Sequence, residues 1–213
     1  MPRRRQTAAG SPRRELRARG QRTRQRLLDA GVEVFAKRGY HSARVDDIVK
    51  GAKTSHGTFY LYFGNKEDLF RALAEEVATE MRTLADAMPA VTPGAAGSKA
   101  LRVWLGSFAD VYEHYGPVIR AWTEAEIGAS EFGRMGTDVL TEFTRVLLDR
   151  VRQAAPPDLD PVVASIALVA MIERCNYYVL SNQVQISRDE MIDTLASVTL
   201  AALFGSSVAP ARR

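Results

Sequence analysis

Apolar side chains recur at three- and four-residue intervals through nearly every long stretch of the chain, and no segment keeps the strict alternation of a half-buried strand. The pattern predicts an all-α protein of about nine helices. It is densest from Arg44 to Phe70. There Val45, Ile48, Val49 and Ala52 fall at i, i+3, i+4 and i+7, the apolar stripe of a short helix, with Asp46 and Asp47 where the helix dipole favours carboxylates. After a break from Gly51 to Thr54, Thr54 is placed to cap a second short helix that carries Phe59 and Phe63 one turn apart on one face. Two short helices joined by a tight turn, the second with small, polar and aromatic residues outward, match a helix-turn-helix, whose second helix enters the major groove of DNA.

The flanking pattern supports this motif. A helix is expected from about Gln21, with Leu27, Leu28, Val34 and Phe35 inward and Gly39 as its terminating glycine. Asn65 and Asp68 resemble a capping box ahead of a long stripe, Leu69, Phe70, Leu73, Val77, Met81 and Leu84, in a helix running to about Met88 and spanning ~35 Å. After the Pro/Gly/Ser-rich loop Pro89 to Ser98 comes a helix through Leu101, Leu105, Phe108, Tyr112 and Tyr115, closed by Gly116-Pro117. Pro117 then opens a separate short helix, Val118 to Ile127. Another stripe runs from Phe132 to Val151, up to Ala155-Pro156-Pro157. From Asp160-Pro161 to about Ser181 a helix is apolar on more than one face and so needs two partners. Ser187 and Glu190 form a capping box for the last stripe, Met191 to Leu203, which Gly205 ends.

Charge adds a division that hydropathy does not show. Residues 1–66 hold 16 Lys or Arg against 5 Asp or Glu, net +11; residues 67–213 hold 13 against 20, net −7. The basic part contains the helix-turn-helix candidate, as expected of a polyanion-binding module joined to an acidic body. Residues 1–20 carry seven arginines with almost nothing to bury, and read as a disordered basic arm that either lies along DNA or merely solubilises. The single Cys175 excludes an internal disulfide and offers no zinc spacing, so a reducing, cytoplasmic compartment is expected, with no metal and no cofactor. No nucleophile–base pair or carboxylate pair is visible, so no catalytic residue is expected. The run Pro161 to Ile172, interrupted by Glu173 and Arg174, reads as a buried helix too short for a bilayer, and no membrane partner is expected.

Over Gly39 to Phe70 the chain resembles the tetracycline-repressor (TetR) family of bacterial transcription regulators. Gly39-Tyr40, Asp47-Ile48, Ala52, Ser55, Gly57-Thr58, Tyr60, Phe63, Lys66, Glu67 and Leu69 agree in register and without gaps. The resemblance implies phosphate contacts from Tyr60 and Lys66, and base-edge contacts from His56, Gly57 and Thr58, with His56 donating to an acceptor such as guanine N7. Thr54, Ser55, Tyr62 and Asn65 complete the expected DNA-facing set. Two positions depart from the family pattern. Arg44 stands where Ser or Thr usually caps the helix, and Lys53 where the turn usually has glycine, at a cost on the order of 1 kcal/mol if left-handed. Both add cations for phosphate, and Ser42 is an alternative cap.

For the rest of the chain the resemblance implies a homodimer with an effector cavity. The expected organisation is a basic arm 1–20, a helix-turn-helix domain 21–66, an effector-binding and dimerisation domain 67–206 and a tail 207–213. Cavity candidates are Trp104, Phe108, Tyr112, Trp122, Met135, Phe143, Met171, Glu173, Asn176 and Tyr177, with Glu173 alternatively in an internal pair with an arginine. Candidates for a four-helix interface are Val162, Ile166, Val169, Leu195, Val198 and Ala202. The implied function is that of a repressor released from a palindromic operator by a small apolar or amphipathic effector. Two alternatives stay open: a DNA-binding or architectural protein whose body only dimerises, and a small-molecule-binding enzyme.

Overall fold

Eight α-helices, and no strand, occur among the described residues: α1 (Pro12–Ser42), α2 (Val45–Gly51), α3 (His56–Tyr60), α4 (Lys66–Asp86), α5 (Gly94–Thr123), α6 (Glu131–Ala154), α7 (Pro161–Leu180) and α8 (Arg188–Phe204). The computed structural model describes residues 12–123, 131–154 and 159–205, with side chains from residue 17 onward except at 121–123, 131–133, 135, 136 and 139. The chain is all-α, as expected. Eight helices replace the nine expected because α5 runs straight through Pro117, where a break was expected. Pro117 removes one backbone donor, but Val118 beside it is fully buried, so packing on both sides of the proline outweighs the lost bond. Residues 124–127 of the expected separate helix lie outside the described residues.

The chain divides into two units, Met1–Leu73 and Ala74–Arg213. The first contains α1 to α3 and the opening turns of α4. Here α1 starts at Pro12 and not near Gln21, so residues 12–20, expected in a disordered arm, are helical. Proline suits a first helical position, and Arg, Glu, Leu and Ala, which follow it, are good helix formers. Residues 1–11 lie outside the described residues. Near its end α1 breaks at Gly39, whose φ of 71° is open to glycine at no steric cost. Leu27, Leu28, Ile48, Phe59, Leu69 and Phe70 are wholly buried together with Leu73. The unit boundary follows Leu73 and not Lys66 because α4 packs Leu69, Phe70 and Leu73 into this core. A Cβ on Gly31 of α1 would lie 2.5 Å from Leu69 Cδ2, and Phe70 meets Phe35 edge-on at 5.6 Å.

The second unit has its own core, in which Leu84 and Met88 meet α5 (Leu101, Trp104, Leu105, Phe108, Tyr112), α6 (Phe143, Leu147, Val151), α7 (Leu168, Ile172, Val179) and α8 (Met191, Ile192, Leu195, Leu203). Polar groups close the helix ends. Trp104 donates its indole N–H to the Leu84 carbonyl at 2.8 Å, and Arg150 donates to the Met88 carbonyl at 2.8 and 3.1 Å. Asp160 caps α7 by accepting from the Val162 and Val163 amides. Ser187 and Glu190 make the full capping box of α8, while Gly205 ends that helix in extended conformation, φ −64°, and not as a left-handed glycine.

By length and composition α7, with mean hydropathy 1.4, is the one helix among the described residues apolar enough to cross a membrane. Its apolar window continues past Glu173 and Arg174, where the sequence pattern marked an interruption. Within the unit one stripe of α7 is buried in the core, and the opposite side leaves Val162, Val163 and Ile166 46 to 65% exposed.

Candidate nucleic-acid interface

The turn between α2 and α3 is built by backbone bonds. Ala52 N–H donates to Ile48 at 2.8 Å, Thr54 N–H to Val49 at 2.9 Å, and Lys53 N–H to Lys50 at 3.2 Å. Lys53 sits between them with φ 50°, so the left-handed geometry persists without the usual glycine and holds the lysine exposed. Its strain is on the order of 1 kcal/mol. Arg44 is the N-cap of α2 in extended conformation, with no side-chain cap bond, so the boundary does not shift to Ser42. Its carbonyl receives the Asp47 and Ile48 amides, leaving the guanidinium exposed.

The cap of α3 is Ser55 and not Thr54. The Ser55 hydroxyl accepts the Thr58 amide at 3.2 Å and lies 3.0 Å from the Thr58 hydroxyl. Thr54, half-buried, belongs to the turn. Phe59 and Phe63 share the inner face, ring centroids 5.7 Å apart, with the Arg24 guanidinium 5.6 Å over Phe63. Tyr60 stands outward, while Tyr62 is half-buried with its hydroxyl beside α1, where a Cβ on Gly20 would come within 3.4 Å of it.

Three expected DNA contacts prove to be engaged inside the unit. His56 Nε2 lies 2.5 Å from Asp46 Oδ1, tying the start of α3 to the first turn of α2, so this nitrogen is not the free donor expected for a base. Lys66 donates to the Tyr40 and His41 carbonyls at 2.9 and 3.3 Å and lies 4.6 Å over the Tyr40 ring. A cation there neutralises the carbonyl end of α1, so the ammonium expected at a phosphate is held by two carbonyls of its own chain. Burial, and then the neighbouring Glu67 carboxylate, push the Tyr40 phenol up to about 12. Asn65 accepts the Asp68 amide at 2.7 Å, but Asp68 accepts from Gly64 and not from Asn65, so the capping motif reaches one residue further back.

Sequence reasoning passed over Leu61, the C-cap of α3, which is 82% exposed. The signal was present, since Leu61 lies four residues after Gly57 and two from each buried Phe.

In the second unit Trp104, Phe108, Tyr112 and Phe143 pack on one another at 5.6 to 6.2 Å and are buried in its core. The Tyr112 hydroxyl donates to Glu173 at 3.0 Å, and Glu173 also pairs with Arg174 at 3.5 Å, as the internal-pair alternative has it. Burial and that carboxylate hold the Tyr112 phenol far above its ordinary range. Asn176 is 1% exposed; its amide donates to the Ile172 carbonyl, while Oδ1 has no partner. Met171 and Tyr177 are partly buried against the core, and the side chains of Trp122 and Met135 lie outside the described residues. An open groove of about 670 Å³ lies instead between α4 and α5, sharing only Trp104 with the expected set. Of the interface candidates, Val162, Ile166, Val198 and Ala202 are exposed, whereas Val169 and Leu195 are core residues of their own chain and unavailable to a partner.

A basic three-helix unit that presents a short exposed helix after a tight turn defines a helix-turn-helix DNA-binding protein. Residues 27–73 match the family model of the bacterial regulatory proteins, tetR family. The HTH-type transcriptional regulator EthR of Mycolicibacterium smegmatis is 26% identical over 211 residues, covering 94% of this chain and 95% of that protein. Against three Bacillus subtilis regulators, one of them a fatty acid metabolism regulator protein, the chain spans only 37%, 28% and 26% of their length. A TetR-like transcriptional regulator from Rhodococcus sp. RHA1 has a TM-score of 0.66 at 25% identity, covering 86% of this chain and 97% of that one. FadR of Bacillus subtilis, solved with stearoyl-CoA, has a TM-score of 0.60 at 21% identity, covering 86% and 99%. Residues 27–73 thus carry the tetR-family signature, and over most of its length the chain is similar to transcriptional regulators of that kind.

Proposed function

We propose that the protein is a homodimeric transcriptional regulator that reads a palindromic operator with α3 and leaves it when a small apolar or amphipathic molecule occupies the helical body. The carrying observation is the outward face of α3, with Gly57, Tyr60 and Leu61 exposed on the most basic part of the chain. Arg44, Lys53 and Tyr60 are the phosphate contacts this reading retains, and two such heads one DNA turn apart read a two-fold site.

Dimerisation is supported by the exposed strip Val162, Val163, Ile166 and Val198 on α7 and α8, which a second copy would remove from water. Effector control is supported by Asn176, because a buried acceptor without a partner costs about 1–3 kcal/mol and a ligand donor would relieve it. The coupling needed is modest, ~1–3 kcal/mol, carried by displacement of α4, which is continuous from Lys66 to Asp86.

Tyr60→Phe combined with Lys53→Ala tests the DNA half. Binding to every duplex sequence should weaken by about 1 kcal/mol per lost contact, measured by fluorescence anisotropy. A loss confined to one operator would contradict the phosphate assignment. A screen of apolar and amphipathic compounds, long-chain acyl-CoA included, that shifts neither thermal stability nor operator release would contradict effector control.

A further inference from the structure

We propose that Leu61 reads sequence by apolar contact with a thymine methyl group, as the centre of a recognition face whose hydrogen-bonding atoms are largely engaged within the protein. The inference rests on the DNA-binding reading above and adds the chemistry by which bases are told apart. At 3.6 residues per turn, each residue rotates the helix by roughly 100°. Leu61 keeps helical angles, φ −73° and ψ −21°, so this periodicity extends through it. Phe59 and Phe63 point into the core, and Leu61, two residues from each, therefore points roughly opposite them. Its neighbours on that side are Gly57, one turn earlier, and Thr58. Gly57 contributes no side chain, which leaves Leu61 unshielded and accounts for its 82% exposure.

Toward the start of the helix the polar groups are already occupied, and the exposed Tyr60 phenol is the phosphate contact named above. The Thr58 hydroxyl lies 3.0 Å from the Ser55 hydroxyl, which also caps the helix, and His56 Nε2 is held by Asp46 at 2.5 Å. What α3 offers at its most outward point is thus the bare backbone of Gly57, the methyl of Thr58 and the isobutyl group of Leu61. The major-groove edges of the four base pairs present hydrogen-bond donors and acceptors, and one apolar group, the C5 methyl of thymine. A charged surround of Lys50, Lys53 and Arg44, all exposed, supplies the attraction to phosphate that brings this patch to the groove.

The test uses the full-length protein and an operator obtained from random duplexes by repeated selection. Each thymine is replaced in turn by deoxyuridine, in both half-sites, and affinity is measured by anisotropy for the wild type and Leu61→Ala. At one base pair per half-site, loss of the methyl should weaken wild-type binding about three- to fivefold per half-site. Leu61→Ala, which should melt at the wild-type temperature because the side chain packs on little, should bind the thymine operator correspondingly less well and no longer distinguish thymine from deoxyuridine there. Indifference of the wild type to every deoxyuridine, or an undiminished methyl effect in Leu61→Ala, overturns the proposal while leaving DNA binding intact. If selection enriches no sequence at all, the DNA-reading function fails, and this proposal with it.

Discussion

Lys66 donates to two carbonyls at the end of α1 while lying over the Tyr40 ring, 26 residues back in the sequence. Removing the ammonium leaves those acceptors without a cation, so Lys66→Met should lower stability by about 1–3 kcal/mol in urea denaturation. Folded Lys66→Met should lose less DNA affinity than Lys53→Ala. The reverse order would return Lys66 to the phosphate set. Residue type and motif register placed Lys66, His56, Tyr60 and Thr58 in the right helices, but not their partners. His56 meets Asp46 ten residues away, a contact that exists only once α2 and α3 are set against each other. Leu61 went unread for the opposite reason, because apolar residues are assigned to cores by default, and only its exposure shows that it faces out. Asn176 was legible as a costly polar residue on an apolar helix, whereas the orphaned state of Oδ1 needed the packed core.

At the scale of elements, caps and stripes were the readable part. Asp160 at α7, Ser187 with Glu190 at α8 and the glycine break at Gly39 follow from local chemistry, and local chemistry is what a sequence displays. Two elements went the other way. Pro117 is a strong local stop signal, yet burial of Tyr112 and Val118 on either side keeps α5 continuous. The basic start of α1 has little to bury, but helix propensity and Pro12 extend the helix into it. The turn before α3 is the sharpest conflict of local preference and motif. Lys53→Gly should raise stability by roughly 0.5 kcal/mol, the ~1 kcal/mol of relieved strain less the greater freedom of glycine in the unfolded chain. DNA affinity should fall at the same time, since a cation is lost. Thermal melts and anisotropy on one preparation check both signs, and a variant that binds DNA as well as wild type would remove Lys53 from the interface.

For the whole molecule, the partition of charge, net +11 over residues 1–66 and −7 over residues 67–213, was visible without any structure and points to different tasks for the two parts of the chain. Which copies meet was less visible. Of six residues expected at an interface, Val169 and Leu195 serve their own core, and the strip left for a partner is Val162, Val163, Ile166 and Val198. Ile166→Asp together with Val198→Asp should convert the proposed dimer to monomer in light scattering, with α-helical content kept, because both positions are solvent-exposed in the single chain. An unchanged dimer would place the interface elsewhere.

The central claim, a two-fold pair of α3 helices reading DNA, is tested most directly by selecting a binding site from random duplexes with the full-length protein and titrating it against salt. The account predicts an inverted repeat whose half-site centres are about one helical turn apart, or a multiple of it, bound by one dimer. With the three exposed cations Arg44, Lys50 and Lys53 in each subunit, the logarithmic salt slope should be near −5. An unstructured pool after selection, or an asymmetric single site saturated by one monomer, would contradict it.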